Sequence, residues 1–162
     1  MFHRQTSGEF QAKAGAQNRA ELKSLVDRRK NPGLLAYVDG EPAGWVSVAP
    51  RKDFGRVERS PLSKHLDPAT TSEGVWSITC FFIHRTRRGQ GIASALVKGA
   101  VDYAASKGAR VVEGYPLDPA YKATWNSAEA YVGTYEMFSA AGFEEAERRK
   151  PARPLMRYQV GN

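Results

Sequence analysis

The segment Val75-Trp76-Ser77-Ile78-Thr79-Cys80-Phe81-Phe82-Ile83 is apolar and β-prone almost throughout, and it runs directly into an arginine- and glycine-rich turn. Such a run, without polar alternation, reads as a central strand covered on both faces. Beyond the turn, Ile92, Leu96, Gly99 and Tyr103 repeat at helical spacing, so a helix is expected over 92–107 with Gly108 as its stop. A second short strand is expected at 109–113. Strand, helix and strand in that order close as a right-handed crossover, which places the glycine turn at the mouth between two parallel strands.

The turn itself, His84-Arg85-Thr86-Arg87-Arg88-Gly89-Gln90-Gly91-Ile92-Ala93, is suited to holding phosphate. Glycines at 89 and 91 let the main chain approach an anion closely, and the free N–H groups and dipole of the adjoining helix face it. Arg88 adds a charge-assisted donor. A plain glycine turn feeding a helix looks the same over so few residues, so the context has to decide. A P-loop is excluded, because no Gly-Lys-Ser or Gly-Lys-Thr comes after the turn. A dinucleotide fingerprint comes closer: Gly89 and Gly91 match, Ser94 stands at the third glycine, and Glu113 lies about where a ribose-binding acid is expected. The rest of the chain, however, supplies one more helix and two closing strands after that unit, and a dinucleotide fold needs further parallel units there.

The remaining elements are read from pattern. Asn18 with Glu21 resembles a capping-box helix start, with Leu22, Leu25 and Val26 on one face and Pro32-Gly33 ending the helix. Leu34–Val38 and 44–48 read as strands of a hairpin about Asp39-Gly40. Residues 49–74, rich in charge, proline, serine and threonine, read as a long, partly helical surface connection. Residues 114–126 are irregular, with Pro116 and Pro119 excluding a regular helix, and Ser127 or Thr134 opens a helix that reaches Ala141 and is capped by Gly142. The closing strands are 143–149 and 155–160, with Pro151 and Pro154 in the connecting loop.

A chain of 162 residues with 41% apolar residues suits one domain spanning 1–162 with one core. The single cysteine, Cys80, leaves no disulfide and no cysteine cluster of zinc-site spacing, so no metal is expected and a reducing compartment fits. No apolar run approaches the roughly 18 residues of a membrane span, and no signal sequence is visible, so a soluble cytoplasmic protein is expected. The formal charge of +7 favours an anionic partner, whether nucleic acid, membrane surface or phosphorylated cofactor. Arg85, Arg87 and Arg88 crowd the glycine turn, while Arg148, Arg149, Lys150 and Arg153 gather near the C-terminus, where a solvated face is the ordinary explanation.

Arg88-Gly89-Gln90-Gly91-Ile92-Ala93 resembles the Arg/Gln-x-x-Gly-x-Gly/Ala motif of the GNAT family of N-acetyltransferases. The likeness extends to Phe81-Phe82-Ile83-His84, similar to the end of the family's fourth strand, and to 137–143, which ends in Ala-Gly-Phe like the helix-to-strand corner of its second half. It covers about 34–160. It implies an α/β (α+β) fold: a mixed, mostly antiparallel sheet with a central, splayed parallel pair, flanked by helices. It further implies acetyl-CoA as co-substrate, its pantetheine arm pairing like an extra strand with Phe81, Phe82 and Ile83. The pyrophosphate would be held by main-chain N–H groups of Arg88, Gly89, Gln90, Gly91, Ile92, Ala93 and Ser94, with the Arg88 side chain in support. The activity implied is transfer of an acetyl group to a primary amine by direct attack.

The chain also departs from the family pattern. Phe138 stands where the family often has a tyrosine that protonates the departing thiolate, and a phenyl ring donates no proton. Tyr135 is the favoured substitute, with Tyr131 or water as alternatives. Tyr131 also stands where the family often has an asparagine, for which Asn126 is a candidate replacement. Glu113 is the carboxylate best placed to receive the amine's proton, although strand-end glutamates are commonly salt-bridged. His84 falls on the phosphate side, and Cys80 has no evident activating histidine, so packing explains it. Tyr115, Tyr121 and Trp125 shape an acceptor pocket or simply pack. Only 1–10 is available for the family's first strand, which is therefore short, missing or supplied by a partner chain. A non-catalytic CoA-binding sensor competes with the enzyme, while a nucleic-acid module has only the charge in its favour and no motif. The acceptor, and whether the chain forms a homodimer, stay open.

Overall fold

The computed structural model describes residues 1–61, 73–121, 124, 126 and 129–161. Helices α1 (Ser7–Ala12) and α2 (Ala16–Asp27) precede strands β1 (Leu34–Val38) and β2 (Glu41–Pro50) and the one-turn helix α3 (Gly55–Glu58). The second part holds β3 (Val75–Ile83), α4 (Ile92–Ser106), β4 (Val111–Gly114), α5 (Tyr135–Ser139), β5 (Glu144–Lys150) and β6 (Arg153–Gln159). The strands form one six-stranded sheet in the order β1-β2-β3-β4-β6-β5. Every neighbouring pair is antiparallel except β3 and β4, which run parallel with α4 as their crossover. The fold is thus the mixed sheet with a central parallel pair that the sequence implies.

Local chemistry explains most of these elements. Asp39 and Gly40 both take positive φ, 54° and 80°, as the tight turn between β1 and β2 requires. The apolar face of α4, with Ile92, Leu96, Val97, Ala100, Val101 and Ala104, packs on Val46, Val48, Ile78 and Val112 to make the main core. Thr134 caps α5, its hydroxyl accepting from the Met137 N–H.

Several expected boundaries move. The N-terminal capping box is formed by Thr6 and Glu9 at α1, not by Asn18 and Glu21. Asn18 lies inside α2, where its amide donates to the Phe10 carbonyl at 2.9 Å and ties the two helices together. Residues 1–10 enter a turn and α1 and make no strand. The strand expected over 44–48 extends at both ends to fill β2. Helix α5 ends at Ser139, short of Ala141, and Ser127 lies outside the described residues. Pro154 is a buried residue of β6. It lies beyond the last β4 pair, Gly114↔Met156, and where the β5–β6 register shifts, so its missing N–H removes little from the ladder.

The junction that positions the site is the end of β4. A Cβ on Gly114 would lie 2.2 Å from Cε1 and 2.6 Å from Cδ1 of Phe138, whose ring is completely buried against Phe81 and Phe143. Gly114→Ala is therefore expected to destabilise the protein by about 1–3 kcal/mol, the usual cost of overpacking a closed core. Urea unfolding measures it, and adding Phe138→Leu should recover part of the loss; no loss in the single variant would show that the ring is free to move.

Candidate active site

The β3–α4 turn has the geometry of an anion cradle. Gly89 and Gly91 both have φ of 76°, a left-handed conformation that side chains strain to adopt. A Cβ at either glycine would meet nothing within 4 Å, so the requirement is conformational and the space above the turn is open. The first intrahelical bond of α4 runs from the Ala95 N–H to the Gly91 carbonyl at 3.0 Å. The N–H groups of Ile92, Ala93 and Ser94 therefore precede the ladder, and no side chain caps them. Arg88 is exposed beside them, its Nε donating to the Ile83 carbonyl at 3.4 Å, a long and weak bond. Arg85 is also exposed on this rim, and Arg87 lies 3.6 Å from Asp39. Positive charge, helix dipole and open N–H donors thus converge on one concavity.

From this turn a free strand edge leads inward. The parallel pairing runs from Val75↔Val111 to Ile78↔Gly114 and stops there, while β3 continues to Ile83. On the β4 side, 79–83 therefore have no strand partner among the described residues. Thr79 is the extra residue of a bulge, because Ser47 faces Cys80 and Val48 faces Ile78 across β2. Phe81 turns into the core and Phe82 is 58% exposed. The turn and the edge bring together all of the residues expected to hold a cofactor.

Two cavities open on the face of the sheet opposite α4. One, of about 450 Å³, is lined by apolar side chains that include Phe2, Phe10, Trp45 and Phe54. The other, of about 320 Å³, is lined by Arg56, Lys150 and Arg153 together with Tyr115. His3, Thr79 and Tyr131 line both. The Tyr131 ring packs 6.0 Å from His3 and edge-on to Phe2, and burial raises its phenol above the ordinary value. His3 is pushed down to about 4, first by burial and then by the Arg56 charge, so it is neutral at pH 7. The Thr79 hydroxyl and His3 Nε2 are buried with no hydrogen-bond partner among the described residues.

Glu113 is completely buried on this same side of the sheet. Tyr115 donates to its Oε2 at 2.8 Å, and Ser77, 3.0 Å from the Tyr115 oxygen, donates in turn to the phenol. Arg157 Nε donates to Oε1 at 3.1 Å, and Arg51 Nη1 lies 3.5 Å from Oε2. Arg51 is itself buried and bonded to Glu58 at 2.7 Å. Of this network, Tyr115 reaches the wall of the second cavity. Such an arrangement is costly to break, since losing one partner leaves a buried charge uncompensated.

Tyr135 lies elsewhere. Its ring is 5.6 Å from the Arg148 guanidinium, which also covers Tyr121 at 4.8 Å, and it lines neither cavity. Arg148 is held there by Asp118 and Glu145 at 2.8 and 2.5 Å. Asn126 bonds with Glu129 in a local turn, and Trp125 lies outside the described residues. Cys80 lines the apolar cavity with its thiol raised by burial, which makes it a poor nucleophile. His84 is exposed beside the phosphate turn and bonds Thr86 at 2.8 Å. Sequence reasoning misses the N-terminal residues Phe2 and His3 altogether; their signal, aromatics in a polar segment, is too slight to read alone.

Residues 2–126 match the model of the acetyltransferase (GNAT) family. No match is found among curated protein sequences. Among solved structures, the chain resembles a ribosomal-protein-alanine N-acetyltransferase from Brucella melitensis at 17% identity and a TM-score of 0.56, covering 91% of this chain and 80% of that one. It also resembles yncA, a putative acetyltransferase from Salmonella typhimurium seen with its cofactor acetyl-CoA, at 14% identity and a TM-score of 0.56, covering 91% and 75%. An N-acetyltransferase from Staphylococcus aureus is similar at 16% identity and a TM-score of 0.52, covering 89% and 74%. At such identities the structures speak for the fold alone, and the family rests on the sequence match. Open strand edge, glycine cradle and family model agree: the chain belongs to the GNAT family of acetyltransferases.

Proposed function

We propose that the protein transfers an acetyl group from acetyl-CoA to a primary amine by direct attack, with both substrates bound together. The observation that carries this reading is the continuity between the open N–H groups at 92–94 and the unpaired β3 edge at 79–83. The main chain of Arg88, Gly89, Gln90, Gly91, Ile92, Ala93 and Ser94 would hold the pyrophosphate, and Phe81, Phe82 and Ile83 would pair with the pantetheine arm. The thioester supplies the activated acyl group. Among the described residues no group of carboxylate, histidine and cysteine side chains has the arrangement of a metal site.

This chain's own side chains then have proton work to do. The acceptor arrives as an ammonium and loses one proton before attack. We assign that proton to Glu113 by relay, the Tyr115 hydroxyl taking it while passing its own to the carboxylate. The amine nitrogen forms the new C–N bond as the C–S bond breaks. The nitrogen's surplus proton leaves to solvent, and the departing thiolate takes a proton from Tyr131; solvent then reprotonates Tyr131, and the proton on Glu113 returns to solvent through Tyr115. Tyr131 is the phenol that lines both cavities, and like any phenol it is protonated at neutral pH. Tyr135, the other candidate donor, is turned towards Arg148.

Calorimetric titration with acetyl-CoA tests the first half. Gly91→Trp should weaken binding at least tenfold, about 1.4 kcal/mol, because the new ring fills the open space over the cradle. Since φ at Gly91 is positive, circular dichroism must show the variant folded; a folded variant with unchanged affinity refutes the placement. Amine-dependent CoA release tests the second half. Tyr131→Phe and Tyr115→Phe should each lower kcat on the order of 10²-fold, as loss of an acid or base does, while Tyr135→Phe stays within about twofold. The opposite ranking of Tyr131 and Tyr135 would make Tyr135 the donor. Tight CoA binding without thiol release across a broad amine panel would mark a sensor instead.

A further inference from the structure

The two cavities that meet at His3, Thr79 and Tyr131 differ in chemical kind, and the difference says what an acceptor must look like. The mainly apolar chamber, between Phe10, Leu22, Trp45 and Phe54, offers aromatic and aliphatic walls, and the one arginine among the described residues of its lining, Arg4, is paired with Asp53 and lies over the Phe54 ring. The second chamber carries Arg56, Lys150 and Arg153 and, among the described residues, no carboxylate. Lys150 and Arg153 face each other across the β5–β6 turn, and neither forms an ion pair with another described residue. Arg51, Arg148 and Arg157, by contrast, are all paired with carboxylates. The Arg56 guanidinium is held in place 3.8 Å over the Phe2 ring and by a bond to the Ser7 hydroxyl.

The field of these cations reaches the junction. Both Arg56 and Arg153 depress His3, after burial itself, and both act on Tyr131 as well. Like charges gathered round a cavity without counter-ions repel one another and attract an anion. At the junction, the Thr79 hydroxyl is buried with no partner among the described residues, at the residue where β3 loses β4. An unmet buried hydroxyl costs free energy that a bound polar group recovers.

We propose that the acceptor is an amine that also bears an anionic group and an apolar body, the simplest form being an amino acid with a large apolar side chain. Its anion meets Arg153, Lys150 and Arg56, its apolar body fills the chamber of Phe10, Trp45 and Phe54, and its amino group lies at Thr79 beside the open edge of β3. The inference rests on the acetyltransferase reading above. It adds that the anion, carboxylate or phosphonate, is a condition of good turnover.

The test compares phenylalanine, its phosphonic analogue, phenylalaninamide and 2-phenylethylamine as acceptors, following CoA release at saturating acetyl-CoA. The anionic acceptors are expected to exceed the two neutral-tailed amines by about tenfold or more in kcat/KM, the scale of one well-placed polar contact; the faster of the two anions identifies the headgroup. Arg153→Gln and Lys150→Gln should each raise KM for the anionic acceptors by about tenfold and leave 2-phenylethylamine within about twofold. Arg153→Lys should restore part of the loss, and added salt should raise KM for the anionic acceptors alone. Equal turnover of 2-phenylethylamine and phenylalanine, or variants that weaken both equally, overturns the inference while leaving the acetyltransferase intact. Failure of the wild-type protein to bind acetyl-CoA in the calorimeter overturns the acetyltransferase reading itself.

Discussion

The parting of β3 from β4 is the constraint on which the rest of the structure depends. Two parallel strands gain from pairing along their full length, so something must stop them after Ile78↔Gly114. Three features do so together. The bulge at Thr79 bends β3, Pro116 comes closely after the last paired residue of β4, and the Phe138 ring occupies the space beside Gly114. At the closed end, Glu113 holds β4 to β6 through Arg157 and to the segment after β2 through Arg51. The sheet is thus pinned on one side of Gly114 and held apart on the other.

Electrostatics divides the molecule in a way that the net charge of +7 conceals. Arg51, Arg157 and Arg148 are spent inside the protein against Glu58, Glu113, Asp118 and Glu145, and the Glu145 and Asp118 bonds raise Arg148 above its ordinary value. Other cations, Arg28, Arg29, Lys98 and Lys107 among them, are spread over the exposed surface, while two groups border the free β3 edge: Arg85 and Arg88 at the glycine turn, and Arg56, Lys150 and Arg153 at the second cavity. These mark opposite ends of the free β3 edge. A site lined in this way draws anionic ligands from both directions.

Much of the proposed cofactor side is legible in the sequence because it is written in consecutive residues. The apolar strand, the left-handed glycines and the helix face lie in one stretch, and the turn at Asp39-Gly40 is equally local. The proposed acceptor side is built from distant pieces. Glu113 can be singled out, but its partners Arg51 and Arg157 come from other parts of the chain, and no periodicity links them. The spacing of Asn18 and Glu21 suits a capping box, yet Thr6 and Glu9 have the same spacing and the exposed position that a cap needs. His3 and Tyr131 meet across the chain through ring packing alone, which leaves no mark in either local sequence.

Phe138 illustrates why the position of a side chain matters more than its register in a motif. A tyrosine there would place its hydroxyl on a ring enclosed by Gly114, Phe81, Phe143 and Gly133, where a buried O–H without a partner is costly. The apolar ring instead serves as the wedge that ends the parallel pairing. Tyr131 is freed from that duty: it lies on a single 3-10 turn, Ala130–Val132, packed against β3, with its ring at the wall of both cavities. In the proposed reaction, the wedge and the proton donor are therefore two residues on two elements, and each answers to a different requirement of the same gap.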